Sequence, residues 1–195
     1  MLKKLIPLLF ITVCVAKAQG QSFYLPVPDG WRVEIIPFPI EFAPLIPYTG
    51  AEHLRFSPGW GDTKSEELWS YCFLWWIQPD SKISTESLEK DLKAYYSGLV
   101  GRNIISRKID STLVVPTITE FKEVENAKGK KTYVGTVRML DYMSLRPVTL
   151  QVEVLVMPCL KEGNLAAFFA VSPQPKTHAI WQQFRVVQEG FRCSK

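Results

Sequence analysis

Histidine is scarce in this 195-residue chain, with only His53 and His178, far apart in sequence. No Cys-x-x-Cys or His-x-x-x-His spacing occurs, which excludes the common zinc frameworks, so neither a metal nor a cofactor is expected. A G-x-S-x-G elbow, a P-loop and a G-x-G-x-x-G fingerprint are also missing. Gly98-Leu-Val-Gly101 reads as the glycine stop of a helix rather than a phosphate cradle. There is no Lys/Arg-rich block and no aromatic RNA motif, so nucleic acid is not an expected partner. No uncharged apolar run reaches the ~20 residues that a spanning helix needs.

What is present opens with Lys3 and Lys4, an apolar run from Leu5 to Val15, and Ala16-Lys17-Ala18. This is the charged, apolar and A-x-A order of a secretory signal peptide. Residues 1–18 are read as that signal and 19–195 as one domain, exported to the periplasm or beyond the cell. An alternative is a lipid anchor on Cys14, which follows Ile11, Thr12 and Val13 in a loose lipobox; Val13 fits poorly, since the preceding residue is normally small. Residues 1–18 hold three lysines and no acid, so removing them takes the formal charge from +4 to +1. At 47% hydrophobic and 22% charged, the chain has the composition of an ordinary globular domain with one core.

Export would leave Cys72, Cys159 and Cys193 where disulfides persist, and an odd number allows one internal bridge. Cys72 sits in an apolar run and reads as a buried small hydrophobe. Cys159 follows a strand and Cys193 the last helix, so these two are the expected pair, with three free thiols as the alternative.

The hydrophobic periods predict an α+β fold, a mainly antiparallel sheet flanked by two helices. Trp31 to Ile36 reads as a strand after an Asp29-Gly30 turn. Pro37, Pro39, Pro44 and Pro47 then forbid helix and central strand, leaving a loop that buries Phe38, Ile40 and Phe42. Ala51–Ser57 is a strand. In the run Leu68–Ile77, period two puts Trp69, Tyr71, Phe73, Trp75 and Ile77 on one face and Leu68, Ser70, Cys72, Leu74 and Trp76 on the other. A helix capped at Ser84 or Thr85 runs to about Leu99, with Leu88, Leu92, Tyr95, Tyr96 and Leu99 as its apolar stripe. Four strands follow, Leu113–Val124, Thr132–Leu140, Pro147–Met157 and Leu165–Val171, joined by short connections that include a turn at 126–130. A helix over about 177–190 closes the chain, with Ile180, Trp181, Phe184, Val187 and Phe191 as its stripe.

Four of the six tryptophans fall between residues 60 and 76. Indole and phenol rings stack on sugar faces and anchor protein interfaces, since they bury much apolar area and keep a polar tip. Trp60, between Gly59 and Gly61, is the ring expected to be most exposed. The candidate binding set is Trp60, Trp69, Tyr71, Trp75 and Arg55, although the strand stripe also fits a sheet face covered by a helix. The alternative is a small hydrolase using His53 with Glu52 or Asp62 as acid and base. Adjacent strand residues point to opposite faces, so Glu52 and His53 would need a bulge to share a site. His53 and Arg55 could join the odd-numbered aromatics if the strand register allows.

Phe23-Tyr24-Leu25-Pro26-Val27-Pro28-Asp29-Gly30-Trp31 resembles the strand-turn opening of the superfamily of PsbP, Mog1 and DcrB, and Trp181 to Arg192 is similar to its closing helix. The resemblance implies an α/β/α sandwich and, because members mostly bind or assemble, a role without catalysis. The expected function is therefore a non-catalytic binding or assembly module of the bacterial cell envelope. Its partner, an envelope protein or a glycan, would dock near the aromatic surface.

Overall fold

The computed structural model describes residues 23–124, 130–159, 161 and 163–193. The expected signal segment with Cys14, and nearly all of the turn expected at 126–130, lie outside the described residues. Seven strands form one antiparallel sheet: β1 (Arg32–Pro37), β2 (Gly50–Phe56), β3 (Tyr71–Ile77), β4 (Ile118–Val124), β5 (Thr132–Asp141), β6 (Arg146–Cys159) and β7 (Asn164–Ser172). Their order across the sheet is β1-β2-β3-β7-β6-β5-β4. Two helices, α1 (Thr85–Arg107) and α2 (Ala179–Gly190), cover opposite faces, giving an α+β fold.

The period-two pattern explains the layering. In β6, Leu150, Val152, Val154 and Val156 are buried toward α1, while Thr149, Gln151 and Glu153 reach solvent. β3 is covered on both sides: Tyr71, Phe73, Trp75 and Ile77 join the core under α1, and Cys72, Leu74 and Trp76 the core under α2. The strand begins at Tyr71, later than its apolar run implies, because Trp69 takes a left-handed backbone (φ 59°) and Ser70 N–H closes a turn onto the Glu67 carbonyl. The predicted strand from Leu113 is likewise shorter. Residues Ser111–Leu113 form a 3-10 turn capped by Asp110, and β4 starts at Ile118.

Ser84 caps α1 through a reciprocal bond with Ser87, and the helix ends at Lys108 in the left-handed region. It passes straight through Gly98 and Gly101, which correct the expected stop near Leu99. Gly98 has a different reason to be glycine: a Cβ there would collide with the Phe42 carbonyl oxygen. The proline-rich loop packs backbone against helix at that point, and it buries Phe38 and Ile40 as expected, with Phe42 half-buried.

The α2 side is tied by several kinds of bond. Cys159 and Cys193 form a disulfide with their Cα atoms 5.4 Å apart, and Cys72 stays free and buried. Tyr24 and Arg192 exchange backbone hydrogen bonds of 2.9 and 3.0 Å. His178 caps α2 by accepting from the Ile180 N–H, and the Trp181 indole donates to the Gln174 carbonyl at 3.0 Å. Among the described residues no helix is long and apolar enough to cross a membrane.

Candidate functional site

The segment joining β2 to β3 folds back over the strand ends. Trp60 N–H bonds to the Ser57 carbonyl, Trp69 N–H to the Trp60 carbonyl, and Gly59 N–H to the Glu67 carboxylate at 3.0 Å. This sets Trp60 half-buried rather than fully exposed, its ring 4.6 Å from Phe56 and 5.9 Å, edge-on, from Trp69. Between this turn, β1–β3 and the second half of α1 lies a cavity of about 210 Å³. Phe42, Phe56, Trp60, Trp69, Tyr71 and Tyr142 supply aromatic walls, and Glu34, Arg102, Asn103 and Arg107 the polar lining.

Two polar atoms in these walls are unusual. The indole N–H groups of Trp60 and Trp69 are buried and have no hydrogen-bond partner. A buried donor without an acceptor costs roughly 1 to 3 kcal/mol, so native folds rarely leave one unfilled. Of the neighbouring phenols, Tyr71 and Tyr96 share a 2.6 Å hydroxyl contact, and Tyr95 donates to Glu52 Oε2 at 3.2 Å.

Three of the five sequence-predicted binding residues, Trp60, Trp69 and Tyr71, line the cavity. Trp75 does not. It is fully buried beneath α1, and its indole donates to Glu52 Oε1 at 3.3 Å. Arg55 points to the other face, where its guanidinium donates to the carbonyls of Pro26, Leu54 and Leu25 at 3.1, 2.9 and 3.1 Å. It is a clamp on the N-terminal segment, and burial lowers its pKa.

The register also corrects the expected neighbours of His53. His53 pairs with Leu74 and Arg55 with Cys72, whereas Glu52 pairs with Trp75 and Phe56 with Tyr71. His53 and Arg55 therefore share the α2 face with the even-numbered residues of β3, and Glu52 shares the α1 face with the aromatics. No bulge interrupts this pairing, so Glu52 and His53 stand on opposite sides of the sheet and form no acid–base pair. Asp62 lies on the exposed turn, its carboxylate accepting from Lys64 N–H at 2.9 Å. Burial pushes the Glu52 carboxyl up to about 8 despite donation from Trp75 and Tyr95. Burial pulls His53 down to about 4, with the Arg55 charge adding to it. Each residue is thus held in its neutral form at neutral pH, as its desolvated setting requires.

Sequence reasoning missed Glu34, Phe42, Arg102, Asn103, Arg107 and Tyr142. A signal existed for three of them: residues 88, 92, 95 and 99 of the apolar stripe continue at helical spacing into Arg102, Asn103 and Arg107. Reading Gly98 and Gly101 as a stop hid the point where an apolar helix face turns cationic over the sheet.

A larger concavity of about 660 Å³ lies on the uncovered face of β4–β6, lined by solvated side chains including Glu120, Lys122, Gln151 and the Lys176–Glu153 ion pair (2.9 Å). It holds no buried polar atom in want of a partner.

No family model matches the chain, and no curated protein matches it either. Among solved structures it is similar to LpqN, described as involved in cell envelope biogenesis of Mycobacterium tuberculosis. The likeness has 13% identity and a TM-score of 0.35, and covers 87% of this chain and 81% of that one.

Proposed function

We propose that the protein is an exported, non-catalytic binding module of the cell envelope, with the cavity beside Trp60 as its ligand site. The observation that carries this reading is that two rings lining an aromatic cavity, Trp60 and Trp69, each keep a buried indole donor without a partner. Neither N–H is open to the cavity as the rings stand, so a ligand bearing hydrogen-bond acceptors would meet them through a turn of either ring, and the rings would cover its apolar face. The Cys159–Cys193 bridge supports a location outside the reducing cytoplasm. The resemblance of Phe23–Trp31 and of the closing helix to the superfamily of PsbP, Mog1 and DcrB supports binding or assembly over catalysis.

The test is tryptophan fluorescence of the protein lacking residues 1–18, titrated with envelope extracts and glycan pools beside Trp60→Ala. The expected result is a saturable shift that the variant loses. A flat response in every pool, with a cooperative thermal melt showing the fold intact, overturns the cavity as a ligand site.

A further inference from the structure

The cavity's charge and hydrogen-bonding groups are lopsided, and that asymmetry specifies what it accepts. Two arginines line it, Arg102 4.6 Å from the Phe42 centroid and Arg107 5.0 Å from Tyr142, and a third, Arg32, lies 5.6 Å from the Trp60 ring. Among the described residues none of the three enters an ion pair. Asn103 is spent locally, donating to the Leu99 carbonyl and accepting from Arg107 Nε at 3.2 Å. With the two unpartnered indoles, the lining offers many donors and few acceptors. One exposed carboxylate, Glu34, stands at the rim. Glu52, which accepts from the cavity's Tyr95, is pushed toward its neutral form by burial and offsets little of the positive charge.

A guanidinium beside a ring still has N–H groups for a carboxylate or sulfonate, those of Arg107 being the ones left after its Nε bonds to Asn103. Phe56 and Tyr71 are stacked and the other wall rings stand tilted or edge-on to their neighbours, and another flat ring can join them in offset contact. At about 210 Å³ the cavity falls below the ~300 Å³ at which drug-sized pockets begin, so long acyl chains and oligosaccharides do not fit inside it.

We propose that the Trp60 cavity binds a compact, ring-bearing organic anion, a carboxylate or sulfonate, whose charge is held by Arg102 and Arg107 and whose ring lies among the aromatic walls. This rests on the binding-module reading of the same cavity and names its ligand class. Cationic compounds are disfavoured by the same arginines.

The experiment is calorimetric titration with 2-naphthoate and its neutral isostere 2-naphthamide. Wild type is expected to bind naphthoate at one site at least tenfold more tightly than naphthamide, with the difference shrinking as salt rises. R102Q combined with R107Q should weaken naphthoate at least tenfold and leave naphthamide unchanged. Retained naphthamide binding in that variant, together with a cooperative thermal melt, shows that the loss of naphthoate is not loss of fold. Equal binding of the two probes, or an unaffected glutamine variant, overturns the anion assignment while keeping the cavity as a binding site. Binding of neither probe to a cooperatively folded wild type also overturns it. The fluorescence titration of Trp60→Ala then decides separately whether the cavity binds anything at all.

Discussion

The two faces of the sheet treat their polar groups in opposite ways. On the α2 face nearly every inward-facing group is tied: Arg55 to three carbonyls, Trp181 to Gln174, Tyr24 to Arg192, and Cys159 to Cys193 by a covalent bond. On the α1 face a carboxyl is buried among phenols and indoles, two indole donors have no acceptor, and three arginines rest on rings. One face has its hydrogen bonding closed internally. The other is closed by Tyr48 on Asp91, Tyr71 with Tyr96 and Tyr95 on Glu52, and is left open at the two indoles beside the Trp60 cavity.

The sharpest way to break this comparison is at its most buried point. Trp75→Ala should cost about 4 to 5 kcal/mol by urea unfolding, because it opens a cavity under α1 and deprives Glu52 of a donor. A cost under about 2 kcal/mol would mean that this face is not core.

Next come the pH slopes of Glu52 and His53, adjacent residues on opposite faces. The folded Glu52 pKa is raised, so its contribution is complete below the unfolded value near 4.5 and is lost as pH climbs through about 8. That loss is roughly 3 to 5 kcal/mol. The folded His53 pKa is depressed, so its contribution is complete above about 6.5 and disappears as pH falls toward 4. The two slopes oppose each other between about 4.5 and 6.5, and only Glu52 acts from there to 8. Glu52→Gln should flatten the fall above pH 6.5, and His53→Gln should steepen the decline between 4.5 and 6.5, both read as differences from wild type in urea melts. A Glu52→Gln curve parallel to wild type would remove the buried neutral carboxyl from the picture.

Opening the Cys159–Cys193 bridge, by reductant or by C159S with C193S, should cost roughly 3 to 4 kcal/mol, set by the 34-residue separation it closes. Hydrogen exchange should speed up first in α2 and the 23–28 segment, with α1 little changed. Uniform loosening across both faces would show that the sides are not independent.

The smallest effect sharpens the contrast from the other side. Trp60→Phe keeps the ring contact with Phe56 and deletes an N–H that bonds to nothing, so stability should move by less than about 1 kcal/mol. A loss above about 2 kcal/mol would give Trp60 a structural role in place of a ligand-binding one.

The same contrast explains what the sequence could show. Covered and wet faces of β6, the two-sided β3, the α2 stripe and the meander β4–β7 all follow from local periods that packing reinforces. The pairing of Cys159 with Cys193 was open to argument from export and from the odd cysteine count. Three features were not legible, each for a tertiary reason. Gly98 looks like a stop only until the Phe42 carbonyl is placed against it. Trp69 leaves the strand through a left-handed backbone that alternation does not foresee. Arg55 reads as a binding group until its three carbonyl partners are seen, and these lie 30, 29 and 1 residues away in sequence. Of the candidate site, the aromatic half was visible as a cluster of tryptophans, while the cationic half needed the true length of α1.

The exchange of backbone bonds between Tyr24 and Arg192, next to the Cys193 bridge, has an effect on how the molecule is oriented. The described chain enters and leaves on the α2 face of the sheet, within a few ångströms, and the cavity is built on the α1 face. A probe or bead coupled at either end of the described chain would therefore sit across the sheet from the residues that line the cavity.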